Sequence, residues 1–358
     1  MKICWYGGYK ENYSRNIILK KALLREGYEI KEFKAPLSET TIELTKKLNQ
    51  LLKEKDCDII FIGFPAYRSV IFGKIASKIK NIPLLYDAFI SKYNTYVEDK
   101  KIIRTEYKKK LQYYKDLLIY SLPNYITLDT YQHIKYFILR YNLNPEKFER
   151  ILLGTDTDIF YPRENTKKNN KKTIIKFHGI ANPLQGIPNI VKAAHILKSE
   201  GITDVEFHLL GKGEIYLQIM DYIKKFKLHD IVHIHYTKIP YQQLPEYMKD
   251  ADIYLGIFGN TLKANMVVPN KVYEALGMGL PLITQQSPAI KEVGIKHKTH
   301  AYLVEGANPR ALADAILELK GHPSLREKLG KNAYKITKKK FSIESIGKEI
   351  SSFLNKII

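Results

Sequence analysis

Cysteine is almost missing from this chain of 358 residues, which has only Cys4 and Cys57, and tryptophan occurs once. Two cysteines make neither a disulfide framework nor a structural zinc site. Both lie in apolar strand-like runs, KICWY and DCDIIFIGF, which places them as buried, reduced thiols. No apolar run approaches the ~20 residues needed to span a bilayer. The opening MKICWYGGYKEN turns polar too soon for a signal peptide, so a cytoplasmic location is expected. Acidic residues are in deficit, 37 against 58 Lys and Arg, for a formal charge of +21. Such a surface attracts nucleic acid, anionic lipid or a phosphorylated substrate, although a Lys-Ile-Asn-rich composition with 26 tyrosines contributes to the charge. No helix-turn-helix, zinc-finger or RNA-binding aromatic signature is present, which argues against nucleic acid. The ten histidines show no metal-ligand spacing. His233 and His235 alternate along one strand, the pattern of a partly exposed sheet face, and no metal is expected.

What is present is a repeated strand and helix pattern. KICWYGG reads as a strand running into Gly7 and Gly8, followed by a helix in RNIILKKALLREG. Further strands YEIKEFK, DIIFIGF and PLLYDAF alternate with helices, and residues 98–122 read as one long basic helix that Pro123 ends. RENTKKNNKKT then reads as a linker, after which TIIKFHG restarts the pattern through EFHLLGKG, IVHIHY and DIYLGIF. Strands alternating with helices imply doubly wound parallel sheets in two α/β, Rossmann-like domains, with a ligand outside the carboxyl ends of the strands in a crevice between them. The expected division is 1–160, 161–340 and a C-terminal helix in 341–358 that packs back on the first domain.

The segment VVPNKVYEALGMGLPLIT, residues 267–284, reads as helix, tight loop and strand, with Pro269 at the helix start. Asn270, Lys271 and free N–H groups at that end suit an anion, and Glu274 one turn on suits ribose hydroxyls. An ordinary capped helix would look alike.

Six motifs in order, ILLGTDTDIFYP, FHGIANPLQGIPNIVKAAHILK, FHLLGKGE, DADIYLGIF, PNKVYEALGMGLPLIT and AYLVEGANPRALADAI, resemble those of the family 4, or group 1, glycosyltransferases of GT-B fold. PLLYDAFISKYNTYVEDK adds a likeness in the first domain. The resemblance implies transfer of a sugar, with retention of configuration and without a metal or other cofactor. The donor would be a nucleotide-diphosphate sugar held by the second domain, and the acceptor a glycan or lipid-linked glycan held by the first. A non-catalytic nucleotide- or glycan-binding protein of the same fold is the alternative.

The resemblance places an arginine and a lysine where Gly179-Ile180 and Gln185-Gly186 stand here, and both cations are missing. A leaving diphosphate gains charge, so other groups must compensate: Lys271, Lys212 between Gly211 and Gly213, and backbone N–H groups. Glu274 matches the family's second motif glutamate, while the first falls on Met266. Thr237 to Ile239 correspond to the loop facing the base. In the first domain, Asp87 is the candidate catalytic carboxylate, with a helix cap or loop hydrogen bond as its other reading. Gly7, Gly8, Ser91 and Tyr93 are the acceptor-side candidates. The basic helix with its Ile, Leu and Tyr residues suits either packing on the domain core or peripheral contact with the inner, anionic face of a membrane.

Overall fold

The structure is a computed structural model that describes residues 1–164 and 172–358. It divides into two compact units, Met1–Leu153 with Ile343–Ile358, and Gly154–Ser342. Each is built on a six-stranded parallel sheet. In the first unit these are β1 Lys2–Gly7, β2 Glu29–Lys34, β3 Ile59–Ile62, β4 Leu84–Asp87, β5 Tyr125–Leu128 and β6 Phe148–Arg150. The second unit has β7 Thr173–His178, β8 Val205–Leu210, β9 Val232–His235, β10 Ile253–Leu255, β11 Leu282–Gln285 and β12 Tyr302–Val304. Helices follow most strands, and the fold is α/β in both units. The central strands β3 and β4 are buried at every residue, as expected where helices cover both sheet faces. The edge strand β2 instead carries alternating Glu and Lys, which discourages pairing with a further strand.

The restart after the first six strands suggests two copies of one plan, yet the strand orders differ. The first sheet runs β2-β1-β3-β4-β5-β6, the second β12-β11-β10-β7-β8-β9. The second is the 3-2-1-4-5-6 order of dinucleotide-binding sheets, whose chain reverses direction of winding between β7 and β10. The first follows the flavodoxin-like order, with its switch between β1 and β3.

The helix Ile343–Ile357 belongs to the first unit, where its buried stripe of Ile343, Ile346, Ile350, Phe353 and Leu354 includes the contact with helix Ser14–Arg25. Burial of such side chains contributes roughly 1.5–3 kcal/mol each. The exposed Arg25–Glu344 ion pair adds about 0–1 kcal/mol, so apolar packing sets this docking.

Three expectations need amendment, and a fourth cannot be placed. Residues 154–160 pack with the second unit: Thr155 N donates to Phe341 O at 2.8 Å, and Phe160 packs on Tyr241 with ring centroids 5.2 Å apart. The linker RENTKKNNKKT falls largely outside the described residues. The long basic helix is broken: a π-helical turn, Asn94–Asp99, precedes the α-helix Glu106–Ser121. Lys101 between them has φ +52°, a left-handed conformation that ends helical hydrogen bonding, and Ile102 N and Ile103 N return to Tyr96 O. Cys4 and Cys57, expected as thiols, are joined as a disulfide with Cα atoms 5.9 Å apart. Cys4 lies on β1 and Cys57 two residues before the adjacent β3, so strand pairing brings them together.

Candidate functional site

The winding reversal between β7 and β10 leaves the carboxyl ends of these two strands uncovered by a crossing helix, the usual ligand position in such sheets. The loop after β7 carries Gly179, Ile180, Gln185 and Gly186, and the chain after β10 runs through Phe258, whose N–H donates to Gln185 O at 3.1 Å. Helix Asn270–Gly277 lies in the same unit with seven consecutive buried residues, Lys271 to Gly277. A helix apolar on one side only would leave its charged residues in water. This one carries Lys271 and Glu274 inside.

Lys271 is 4% exposed. Its ammonium donates to Gln185 Oε1 and lies 3.5 Å from the ring centroid of Phe177. Neither neighbour carries a negative charge. Burial therefore holds the Lys271 pKa well below 10.5, with Glu274 partly countering the shift. Gly179 makes room for this side chain, because a Cβ there would sit 2.6 Å from Lys271 Nζ. Gly211 is also required by close approach: a Cβ would overlap the carbonyl oxygen of Gly179. The loops after β7 and β8 consequently run side by side, with Gly179 N donating to Leu210 O at 2.9 Å and Ala181 N to Lys212 O at 3.0 Å.

Glu274, 3% exposed, has Oε2 3.1 Å from His178 Nε2, yet no hydrogen-bond donor is aligned on that oxygen. His178 Nδ1 in turn hydrogen-bonds the hydroxyl of Tyr254, whose pKa burial pushes well up, so the phenol remains a neutral partner. Tyr254–His178–Glu274 is thus a polar chain beside a buried cation. A buried carboxylate oxygen without a donor is costly, and a ligand hydroxyl would satisfy it.

Of the residues read from sequence, Gly179, Gln185, Lys271 and Glu274 come together. Pro269 occupies the N-cap position and Asn270 the first turn of the helix, both half-buried. Gly211 and Gly213 flank Lys212, which is exposed and directs its ammonium to 5.8 Å from the Tyr236 ring rather than into the buried set. Thr237 and Ile239 line a cavity of about 360 Å³ with Leu210, His235 and Tyr247. His178 and Tyr254 were not singled out beforehand. No sequence signal joined them: alternation puts His178 on the same face of β7 as Lys176, but the pairing of Lys176 with Tyr254 is visible only in the folded sheet.

The first-unit candidates are used structurally. Asp87 has no exposed surface: its carboxylate accepts from Arg15 Nε and Nη2, the latter at 2.8 Å, and from Thr127 Oγ1 at 2.8 Å. Arg15 continues to the carbonyl oxygens of Ile151 and Leu152, each at 2.8 Å. That ion pair fixes β4 to the chain leaving β6 and leaves Asp87 no face for an acceptor hydroxyl. Ser91 is buried, bonded to Asp116 Oδ2 at 3.0 Å and to the Tyr141 hydroxyl at 2.8 Å. Tyr93 N donates to the same Asp116 oxygen at 2.8 Å. Gly8 N donates to Ser69 Oγ at 3.0 Å, and Glu39 accepts from Arg68 N at 2.9 Å and Ser69 N at 3.0 Å. The chain's own carboxylate therefore occupies the helix start beside Gly7 and Gly8 where a ligand anion would bind.

Residues 160–336 match the family described as glycosyl transferases group 1. An MMP alpha-(1->4)-mannosyltransferase of Mycolicibacterium hassiacum is 26% identical over 216 residues, 60% of this chain and 50% of its own length. A chitobiosyldiphosphodolichol beta-mannosyltransferase of Debaryomyces hansenii is 24% identical over 201 residues, 49% of this chain and 41% of its own. The matched region thus spans half or less of these curated relatives. Among solved structures, HepE of Anabaena in complex with UDP and glucose superposes with a TM-score of 0.73 at 14% identity, over 99% of this chain and 100% of that one. At that identity the likeness establishes the fold.

Proposed function

With residues 160–336 matching the glycosyl transferases group 1 family on a GT-B fold, we propose that this chain transfers a hexosyl group from a nucleotide-diphosphate sugar to a glycan or lipid-linked glycan, with retention of configuration. The observation that carries this reading is the buried Lys271 ammonium, matched by no hydrogen-bonded carboxylate, beside a buried Glu274 oxygen that lacks a donor. One asks for an anion and the other for a hydroxyl, and a nucleoside diphosphate offers both from one molecule. Lys271 reaches the loop of Ile180 and Gln185, so a cation from another element supplies charge where that loop has none. The developing charge on the leaving diphosphate is then carried by a fixed ammonium, without need of a divalent ion. UDP is the first nucleotide to test, because HepE binds it, and mannose and glucose are the first sugars, from the relatives and HepE.

Retention is supported by Asp87. An inverting displacement needs a base for the acceptor hydroxyl, and the carboxylate read for that role is locked by Arg15 and Thr127. Met266, buried and unable to accept a hydrogen bond from sugar hydroxyls as an acid would, favours the second reading, a nucleotide- or glycan-binding protein without turnover.

On the first unit, helix Glu106–Ser121 exposes Tyr107, Leu111, Tyr114 and Leu118 in one stripe, beside Lys108, Lys110 and Lys115. No described helix is long and apolar enough to cross a membrane. This stripe suits peripheral contact with anionic lipid, where a lipid-linked acceptor would reside.

The test incubates the full chain with UDP-, GDP- and ADP-sugars and measures nucleoside diphosphate release. Release from one donor, accelerated by a glycan acceptor, is expected. A donor that raises the melting temperature but is never turned over would select the binding-protein reading, and no response to any donor would defeat both.

A further inference from the structure

Away from Lys271, strands β8 and β9 bring Glu206, His208 and His233 together with their ligand atoms mutually within 4.8 Å. Period-two alternation puts Glu206 and His208 on one face of β8, and parallel pairing sets His208 directly opposite His233. The spacing of histidines along the sequence carries no trace of this, because the grouping arises from strand register across more than twenty residues.

We propose that Glu206, His208 and His233 form a binding site for a borderline divalent transition metal ion of the zinc class. Two imidazoles and a carboxylate are the ligand set such ions take, in preference to the all-oxygen sets of magnesium and calcium. The spacing between Glu206 and His208 also fits. Bonds of about 2.0–2.1 Å around a tetrahedral ion place neighbouring donor atoms roughly 3.3–3.4 Å apart. Glu206 Oε2 and His208 Nε2 are 3.4 Å apart.

His235 is the positioning residue. Its Nε2 lies 3.1 Å from His208 Nδ1. With the His208 proton on Nδ1 and directed at His235, the lone pair of Nε2 faces Glu206, which is the arrangement that fixes a metal-ligating imidazole. The Glu206 and His208 side chains are 25% and 23% exposed, so an ion has a way in from solvent while the strands hold the donors. Two lysines flank the site. Lys172 lies 3.0 Å from Glu206 Oε1 and is 41% exposed, free to swing into water when an ion arrives. Lys176, opposite His208 on β7, is already matched by Asp250. The bound ion would tie β9, the edge strand, to β8 and so hold the loop that starts at Tyr236.

The proposal is tested on the untagged full chain, freed of metal by chelation and titrated calorimetrically with Zn²⁺ alone, with Co²⁺ as the spectroscopic probe. One Zn²⁺ per chain and the intense visible bands of four-coordinate Co²⁺ are expected. His208→Ala with His233→Ala should abolish those bands and weaken Zn²⁺ at least tenfold. His235→Ala should keep the stoichiometry but lose affinity by roughly 10- to 100-fold. Absence of saturable binding by the wild type, or equal affinity in the double variant, would overturn the site. Should the double variant fail to fold by circular dichroism, His233→Gln on the edge strand carries the same comparison.

Discussion

Lys271 places its ammonium 3.5 Å from the centroid of the Phe177 ring and donates to the side chain of Gln185, an aromatic face and an amide in place of a carboxylate. The ring and amide soften the burial of a cation without neutralising it. Lys271→Met retains length and packing and removes the charge. It should weaken UDP, or whichever nucleoside diphosphate binds, by about tenfold or more, with the parent nucleoside changed by less than twofold. Calorimetric titration of both ligands decides this, and equal losses would show that Lys271 acts through packing alone.

The same burial predicts a pH dependence. Lys271 has a folded pKa well below the 10.5 of an unperturbed lysine. Between those values the unfolded chain binds the proton that the folded chain has released, so this residue makes stability rise with pH across that window and adds no slope below the folded pKa. A diphosphate favours the charged ammonium and should draw a proton onto it. At pH 8 the diphosphate itself is fully ionised, its last phosphate pKa lying near about 6. Binding measured in two buffers of different ionisation enthalpy, at pH values rising from 8 towards 10.5, should report a proton uptake that grows with pH in the wild type and is missing in Lys271→Met. Uptake unchanged in the variant would assign the proton elsewhere.

Glu274 makes a contrasting prediction. Its Oε2 is buried without an aligned donor, so Glu274→Gln removes a desolvated charge from the free protein and an acceptor from the bound one. Nucleoside and nucleoside diphosphate should both weaken, each by roughly 1.4 kcal/mol or tenfold, while the melting temperature holds or rises. Loss confined to the diphosphate would place Glu274 at the phosphates, against the ribose role.

The alternation of buried strands and glycine-ended loops made both sheets legible in the sequence, because IIFI, LLYD and KICWYGG carry their burial locally. Strand order was not legible. β10 pairs with β7 although 74 residues separate the end of one from the start of the other, and no periodicity encodes that choice. At the site, PNKVYE announced Lys271 and Glu274 through helix-start chemistry, whereas His178 gained meaning only when Tyr254 arrived beside it from β10. The partner of Asp87 was hidden for the same reason. A carboxylate at a strand end looks free until Arg15, 72 positions earlier, closes on it.

Asp87 and Arg15 therefore answer to stability. Asp87→Asn leaves the guanidinium buried without its counter-charge, a change that costs about 3–5 kcal/mol, and the first unit should melt well below the wild type. Arg15→Met with Asp87→Leu should regain most of that loss, since an apolar pair of similar volume avoids desolvating either charge. A folded Asp87→Asn protein with normal melting and lost turnover would return Asp87 to catalysis.

The exposed stripe of Tyr107, Leu111, Tyr114 and Leu118 supplies the last test. Buried in the headgroup region of a bilayer, two leucines and two tyrosines gain apolar contact, and each nearby lysine adds about 1 kcal/mol on an anionic surface. Lys108, Lys110 and Lys115 are exposed on that helix. The full chain should therefore co-sediment with vesicles containing phosphatidylglycerol, bind phosphatidylcholine vesicles far less, and lose much of its binding at high salt. Leu111→Asp with Leu118→Asp puts two carboxylates into the apolar stripe and should abolish co-sedimentation. Nucleotide affinity should stay within twofold, because Lys271 and Glu274 belong to the other unit. Vesicle binding that survives the double substitution would leave the charge of the whole chain, rather than this helix, as its cause.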